Sequence, residues 1–222
     1  MTTTLLLRLT GPVQAWGTGS RFEVRDTGLE PSKSGVVGLL AGALGRRRDA
    51  DLSDLAALRM AVRVDREPAT LRDFHTTHGV ARVAGRESRG EDGAVVSERF
   101  YLTDADFLVG LEGDPALLEV LDAAVRRPRF PLSLGRRACL PSLPVALPGS
   151  GLRSGSLEAA LLAEPLGTSP RPRDAVRLVT EVAPGEGSEV RHDQPVGAAF
   201  VSRRFVSRWV RTRRVPLPGG AG

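Results

Sequence analysis

The 222-residue sequence is poor in several residue types. It has one cysteine, one lysine, one tyrosine, two tryptophans and three histidines. The lone Cys139 excludes an intramolecular disulfide, and with it a stapled secreted scaffold. It also excludes a metal site built on several thiolates. Long hydrophobic runs are missing too. The longest mostly apolar stretch, Gly35 to Gly45, is eleven residues with four glycines, against the roughly 20 apolar residues a membrane-spanning helix requires. The opening Met1 to Arg8 has no basic stretch before its leucines, so it does not read as a signal peptide. A soluble, cytoplasmic protein is expected, with no membrane association.

What is present is arginine. All 31 basic residues except Lys33 are arginine, against 26 acidic ones, for a net charge of +5. Hydrophobic residues make up 41%, enough for a real core. Arg126, Arg127, Arg129, Arg136 and Arg137 flank a Pro/Gly-rich turn. Arg203, Arg204, Arg208, Arg211, Arg213 and Arg214 fill the C-terminal segment. Neither cluster has compensating acids close by in sequence, which points to an anionic partner, nucleic acid above all.

The patterning predicts an α+β fold. Thr3 to Leu9 reads as a buried strand, followed by an irregular stretch over 10–31. Pro31-Ser32-Lys33-Ser34 opens a helix that runs to Leu44 and is capped by Gly45. Gly35, Gly38 and Gly42 share one of its faces and permit close approach by another backbone. One or two helical turns over Leu52 to Leu58 precede Met60-Val62-Val64, whose alternation with Ala61, Arg63 and Asp65 predicts a half-buried strand. Thr70 to Val83 and Val95 to Leu102 predict a hairpin with its tip at Gly85 to Gly93. A strand over Asp106 to Glu112 leads to a helix from Asp114-Pro115 to Arg126, apolar at Leu117, Leu121 and Ala124. Cys139 to Leu147 is expected as an edge strand, because it carries Pro141 and Pro144. The order is the βαββαβ of a ferredoxin-like (RRM-like) domain with a hairpin inserted between its second and third strands. A helix over Ser156 to Ala163 and strands over Ala175 to Val182 and Phe200 to Val215 complete a smaller β-rich part. The division expected is 1–148, with the insertion at about 78–99, and 149–222.

Four places could carry chemistry. Lys33-Ser34 opens a helix as in a phosphate-binding loop, but Thr27 and Ser32 stand where that motif needs glycine. What remains is a helix start able to take a single phosphate, or else an ordinary capped helix. In Gly11-Pro12-Val13-Gln14-Ala15-Trp16-Gly17, Trp16 could stack a base and Gln14 bond one, or Trp16 could plug the core. His75 and His78, with only His192 besides, are too few and wrongly spaced for zinc. Near Phe130-Pro131-Leu132-Ser133-Leu134-Gly135-Arg136-Arg137, a glycine lets a phosphate chain approach while Arg136 and Arg137 clamp it.

Taken together, Leu7 to Gly17, Pro31 to Leu40, Asp73-Phe74-His75-Thr76 and Phe130 to Arg137 resemble the CasD family. These are subunits of the type I-E CRISPR surveillance complex, Cascade, within the repeat-associated mysterious protein (RAMP) superfamily. The resemblance spans about the first two-thirds of the chain. It implies a non-catalytic subunit that binds and caps the 5′ handle of CRISPR RNA. It implies a thumb hairpin on the guide, a repeated backbone subunit and a large subunit as neighbours, and target DNA met through the complex. It implies no cofactor and no metal. The handle-contact candidates are Gln14, Trp16, Ser32, Lys33, Ser34, His75, Arg136 and Arg137, to which the basic C-terminus adds Arg203 and Arg204. Relatives of another subtype cut repeat RNA with Tyr, Lys and His, so the alternative is a metal-independent endoribonuclease using Lys33, His75 and Tyr101. A partner-binding module with an incidental basic face is the third reading.

Overall fold

The computed structural model describes residues 2–19, 23–78, 95–167, 174–202 and 204–216. Eleven strands are described: β1 (Thr3–Thr10), β2 (Val13–Gln14), β3 (Val24–Arg25), β4 (Arg59–Arg66), β5 (Ala69–Thr77), β6 (Val95–Thr103), β7 (Asp106–Glu112), β8 (Leu152–Ser154), β9 (Ala175–Val182), β10 (Glu189–Pro195) and β11 (Phe205–Pro216). The helices are α1 (Lys33–Leu44), α2 (Ser53–Ala56), α3 (Pro115–Arg126), α4 (Leu157–Ala163) and α5 (Ala199–Ser202). The architecture is mixed α+β. A seven-stranded sheet in the order β10-β11-β9-β4-β7-β1-β8 is antiparallel throughout. A second, four-stranded sheet gathers β2, β3 and β5 around β6.

Strand alternation decides the layers. Leu5, Leu7 and Leu9 of β1, Met60, Val62 and Val64 of β4, and Phe107, Val109 and Leu111 of β7 face one core with α1 and α3. Leu6, Ala61 and Leu108 face the other side, where Leu157, Ala160 and Leu161 of α4 cover them. A Cβ on Gly110 would come within 2.9 Å of Leu157, so glycine there lets α4 lie close on the sheet.

The second layer corrects one expectation. β4 is buried on both faces, and its polar members Arg63 and Asp65 are wholly enclosed. Arg63 donates from Nε to Asp65 Oδ1 at 2.6 Å and from Nη2 to Asp65 Oδ2 at 2.9 Å. It also donates to the carbonyls of Leu161, Glu164 and Pro165, just where α4 runs out of internal partners. Arg8 joins Asp65 at 3.2 Å and Asp106 at 3.4 Å. A guanidinium at the C-terminal end of a helix is favourably placed against the helix dipole.

Other differences follow from backbone chemistry. Residues 139–147 form no strand; they meet β1 only through the isolated bridge of Leu7 to Ala146 and the Ser142 to Thr10 backbone bond, and β8 takes the sheet edge. Prolines at 141, 144 and 148 have no N–H to give a ladder. The segment expected as a strand from Phe200 begins instead with α5, and β11 starts at Phe205. β10 was not foreseen, because Glu189-Val-Arg-His-Asp-Gln-Pro has little apolar periodicity. On α3 Leu118, Leu121 and Val125 are buried, and Leu117 and Ala124 of the expected face pack half-buried against the same core. α1 is capped as expected, with Ser32 Oγ accepting from Gly35 N and Gly45 left-handed. Its glycine face admits aromatic rings, Trp16 at Gly35 and Phe200 at Gly38, and at its far end the backbone N–H groups of residues 129 and 130 donate to the carbonyls of Ala43 and Gly42. The hairpin strands pair from Ala69–Thr103 to Thr77–Val95, and the expected tip at Gly85 to Gly93 lies outside the described residues.

Candidate nucleic-acid interface

The Gly11 to Gly17 segment folds inward. Gln14 and Trp16 are both fully buried. Gln14 Nε2 donates to the carbonyls of Leu9 and Ala105, each at 3.0 Å, and its Oε1 accepts from Trp16 Nε1 at 3.0 Å. The ring of Trp16 fills the space that a Cβ on Gly35 would need. Neither side chain is presented to a base, which corrects the reading of both as stacking and bonding groups. Gly135 sits over the same segment with φ +87, and a Cβ there would fall 1.7 Å from Ala15 O. Glycine is thus required by chain packing rather than by an approaching phosphate.

Lys33 is also internal. Its Nζ donates to Glu181 Oε1 at 2.8 Å and to Gln194 Oε1 at 3.3 Å, and its backbone N–H donates to Asp193 Oδ2 at 2.7 Å. Arg208 completes the cluster, 2.7 Å from Asp193. The start of α1 is therefore filled by the chain's own carboxylate and by the Ser32 cap. This corrects the phosphate reading of Ser32 and Lys33. Ser34 remains half-exposed beside Ser32, with their hydroxyls 3.4 Å apart.

Burial holds the Lys33 ammonium below its ordinary 10.5, with Glu181 pulling the other way. Between that lowered value and 10.5 the unfolded chain binds a proton that the folded chain gives up. Stability from this group therefore rises with pH through that window and is depressed below it. The stability of wild type relative to Lys33→Met is expected to increase between neutral pH and about pH 10. Urea denaturation at both pH values checks this, and a flat or falling difference contradicts it.

His75 lies on the exposed β5, opposite Ser97, while Tyr101 lies opposite Leu71. Four residues along a strand separate the two rings by roughly 13 Å. Lys33 belongs to the α1 cluster, so the structure does not bring Lys33, His75 and Tyr101 together. Tyr101 instead carries the guanidinium of Arg136, 4.7 Å from its ring centroid. Arg136 donates to the carbonyls of Phe100, Arg25 and Asp26 at 3.0, 2.7 and 3.1 Å. It ties β3 and β6 to the turn and is committed to backbone, which corrects its reading as a phosphate clamp. Arg137, next to it, is exposed. Burial pushes the Cys139 thiol up, so it is no ready nucleophile.

The other face of the hairpin holds groups that residue-type reasoning passed over. Phe74 is 59% exposed, and the Arg72 guanidinium lies 4.8 Å from its ring centroid. The only sequence signal was an aromatic in a run of otherwise polar residues.

The residues 4–211 match the family described as CRISPR-associated protein (Cas_Cas5). The chain belongs to the Cas5 family. Over 178 residues it is 40% identical to the CRISPR system Cascade subunit CasD of Escherichia coli (strain K12), covering 73% of this chain and 78% of that one. A crystal structure of a Cas protein is 46% identical, with a TM-score of 0.78 and 97% of each chain covered. A chain of a CRISPR RNA-guided surveillance complex is 34% identical, with a TM-score of 0.82, covering 97% of this chain and 91% of that one. The resemblance to CasD read from four sequence motifs is borne out.

This Cas5-family chain balances much of its basic charge internally. Arg126 pairs with Asp122 at 3.0 Å, Arg208 with Asp193, and Arg213 with Glu158, while Arg211 donates to Glu186 O at 2.8 Å. The expectation that the clusters lack compensating acids is corrected, since folding brings acids to the C-terminal cluster from distant segments. Among the described residues, Arg127, Arg129, Arg137, Arg204 and Arg214 are exposed and have no ion pair. Arg203 lies outside the described residues. No helix among them is long and apolar enough to cross a membrane.

Proposed function

We propose that this Cas5-family chain is the CasD subunit of a type I-E CRISPR Cascade. In this reading it binds and caps the 5′ handle of CRISPR RNA, helps assemble the RNA-guided DNA-targeting complex beside its backbone and large subunits, and cuts no RNA. The observation that carries the reading is the likeness to a chain of a CRISPR RNA-guided surveillance complex over 97% of this chain. The solvent-facing groups fit it: His75 on the hairpin, Ser34 beside the start of α1, and the unpaired Arg137 and Arg204. The separation of Lys33, His75 and Tyr101 supports the absence of cutting.

The same proposal covers the finer fold. β1, α1, β4, β7, α3 and β8 form a ferredoxin-like unit, with the β5–β6 hairpin inserted between β4 and β7; with β8 as its last strand the unit reaches Ser154 rather than the 148 expected. The strand order β8-β1-β7-β4 supports it. β9, β10 and β11 form the smaller β-rich part.

The test is equilibrium binding of labelled CRISPR repeat RNA across a salt series. Binding should weaken steeply as salt rises, with log affinity linear in log salt. Arg137→Ala should lower the slope by about one unit. Equal affinity for a shuffled RNA of the same length would count against handle recognition.

A further inference from the structure

An apolar cleft of about 540 Å³ lies between the end of α3 and the loop that runs beside β1. Val125 and Leu132 line it from one side, and Val145, Ala146 and Leu147 from the other. Prolines at 128, 144 and 148 line it too and are exposed. Among the described residues, the one charged side chain in the lining is Arg126, which Asp122 holds at 3.0 Å.

The loop wall is fixed from behind. Arg8 N donates to Val145 O at 2.9 Å, and Leu6 N donates to Gly151 O at 2.8 Å. Thr10 O accepts from both N and Oγ of Ser142. The prolines take N–H groups away from the free edge, which blunts it against pairing with a further strand. An occupant must therefore engage through side chains, and the fixed wall holds the cleft ready before it arrives. Leu140 and Leu143, in the same loop, are 60% and 41% exposed and add apolar surface beside it.

Charge selects the occupant. No acidic residue occurs between Asp122 and Glu158, the stretch that supplies both walls. Asp122 is already committed to Arg126 and to the Gly151 amide. Arg127 and Arg129, on either side of Pro128, are exposed, and no described residue forms an ion pair with them. An aliphatic cleft beside unbalanced guanidinium groups fits apolar side chains flanked by carboxylates. It fits a nucleic-acid strand less well, because the lining has no aromatic ring on which to stack a base.

We propose that this cleft is a protein-docking site that takes an acidic segment of a partner chain, seating its apolar side chains between Val125 and Leu147. The proposal goes beyond handle binding. It rests on the assembly reading above only for the choice of partners to test.

The tagged full chain is co-expressed with the other subunits of its own complex and CRISPR RNA. The subunits it retains are counted by native mass spectrometry after washing across a salt series. The double variant Leu140→Asp, Leu143→Asp alters two exposed side chains. It should lower retention of one partner subunit about tenfold or more, while the isolated chain binds repeat RNA like wild type. Arg127→Glu should lower retention of the same subunit about three- to tenfold, and rising salt should weaken the wild-type contact. Val190→Asp with Val206→Asp, exposed on β10 and β11, controls for two added charges and should change retention less than about twofold. If circular dichroism shows the Leu140, Leu143 variant misfolded, Arg127→Glu against the valine control decides. Equal retention in wild type and both cleft variants overturns the site, as does an equal loss in the valine control. Weaker RNA binding by the isolated double variant overturns it in favour of an RNA surface. A wild-type dimer that the double variant abolishes overturns it in favour of a contact between two copies. A wild-type chain that binds repeat RNA yet retains no subunit overturns the docking site and leaves handle binding standing. A wild-type chain that does neither overturns both.

Discussion

Arg63→Ala is expected to lower folding stability by about 3–5 kcal/mol, the usual effect of removing one partner from a buried ion pair. Each of the five N–H groups of Arg63 has an acceptor: two bonds to Asp65 and one each to the carbonyls of Leu161, Glu164 and Pro165. Truncation leaves Asp65 enclosed with only Arg8 and the Gly167 amide as donors. It also strips the end of α4 of the group that satisfies its carbonyls. Domains commonly have about 5–15 kcal/mol in total, so this one change consumes a large share. Arg63→Lys should not restore stability, because an ammonium has three donors and no planar fork. Urea denaturation should show a lower midpoint with an unchanged slope. A change of less than about 1 kcal/mol would mean that the network is weakly coupled to folding.

Trp16→Ala is expected to destabilise by a similar 3–5 kcal/mol, as the loss of a fully buried ring does. Two effects add: a cavity opens against Gly35, and Gln14 Oε1 loses its donor. Trp16→Phe keeps most of the ring and isolates the second effect, at about 1–3 kcal/mol. The folded Trp16→Phe protein should bind repeat RNA like wild type, since the ring is fully enclosed. Unchanged stability with weakened RNA binding would restore Trp16 as a base-stacking residue.

These two residues mark how far the sequence could be read. Element types came through where local chemistry was strong: the Ser32 cap, Gly45, the Asp114-Pro115 start and the valine alternation of β4. Burial did not come through in β4, because alternation says only that two faces differ. α4, nearly a hundred residues later, covers the face that carries Arg63 and Asp65. Their polarity looked like solvent exposure and is instead an internal ion network.

Several of the candidate site residues turned inward for the same reason. Gln14, Trp16, Lys33 and Arg136 carry side chains able to bind RNA, and those groups serve the fold equally well. Each found its partners inside the chain: Leu9 and Ala105, Gly35, Glu181, and the carbonyls of β3 and β6. The family resemblance was legible all the same, since segments that close a core in one fixed way are as distinctive as a binding motif.

The most direct test of the account is the fate of labelled CRISPR repeat RNA incubated with the purified protein, run on native and denaturing gels in parallel. The account predicts a shifted band whose RNA is full length on the denaturing gel, with or without divalent metal. A discrete, metal-independent product that disappears with His75→Ala would make this chain a processing nuclease and contradict the account.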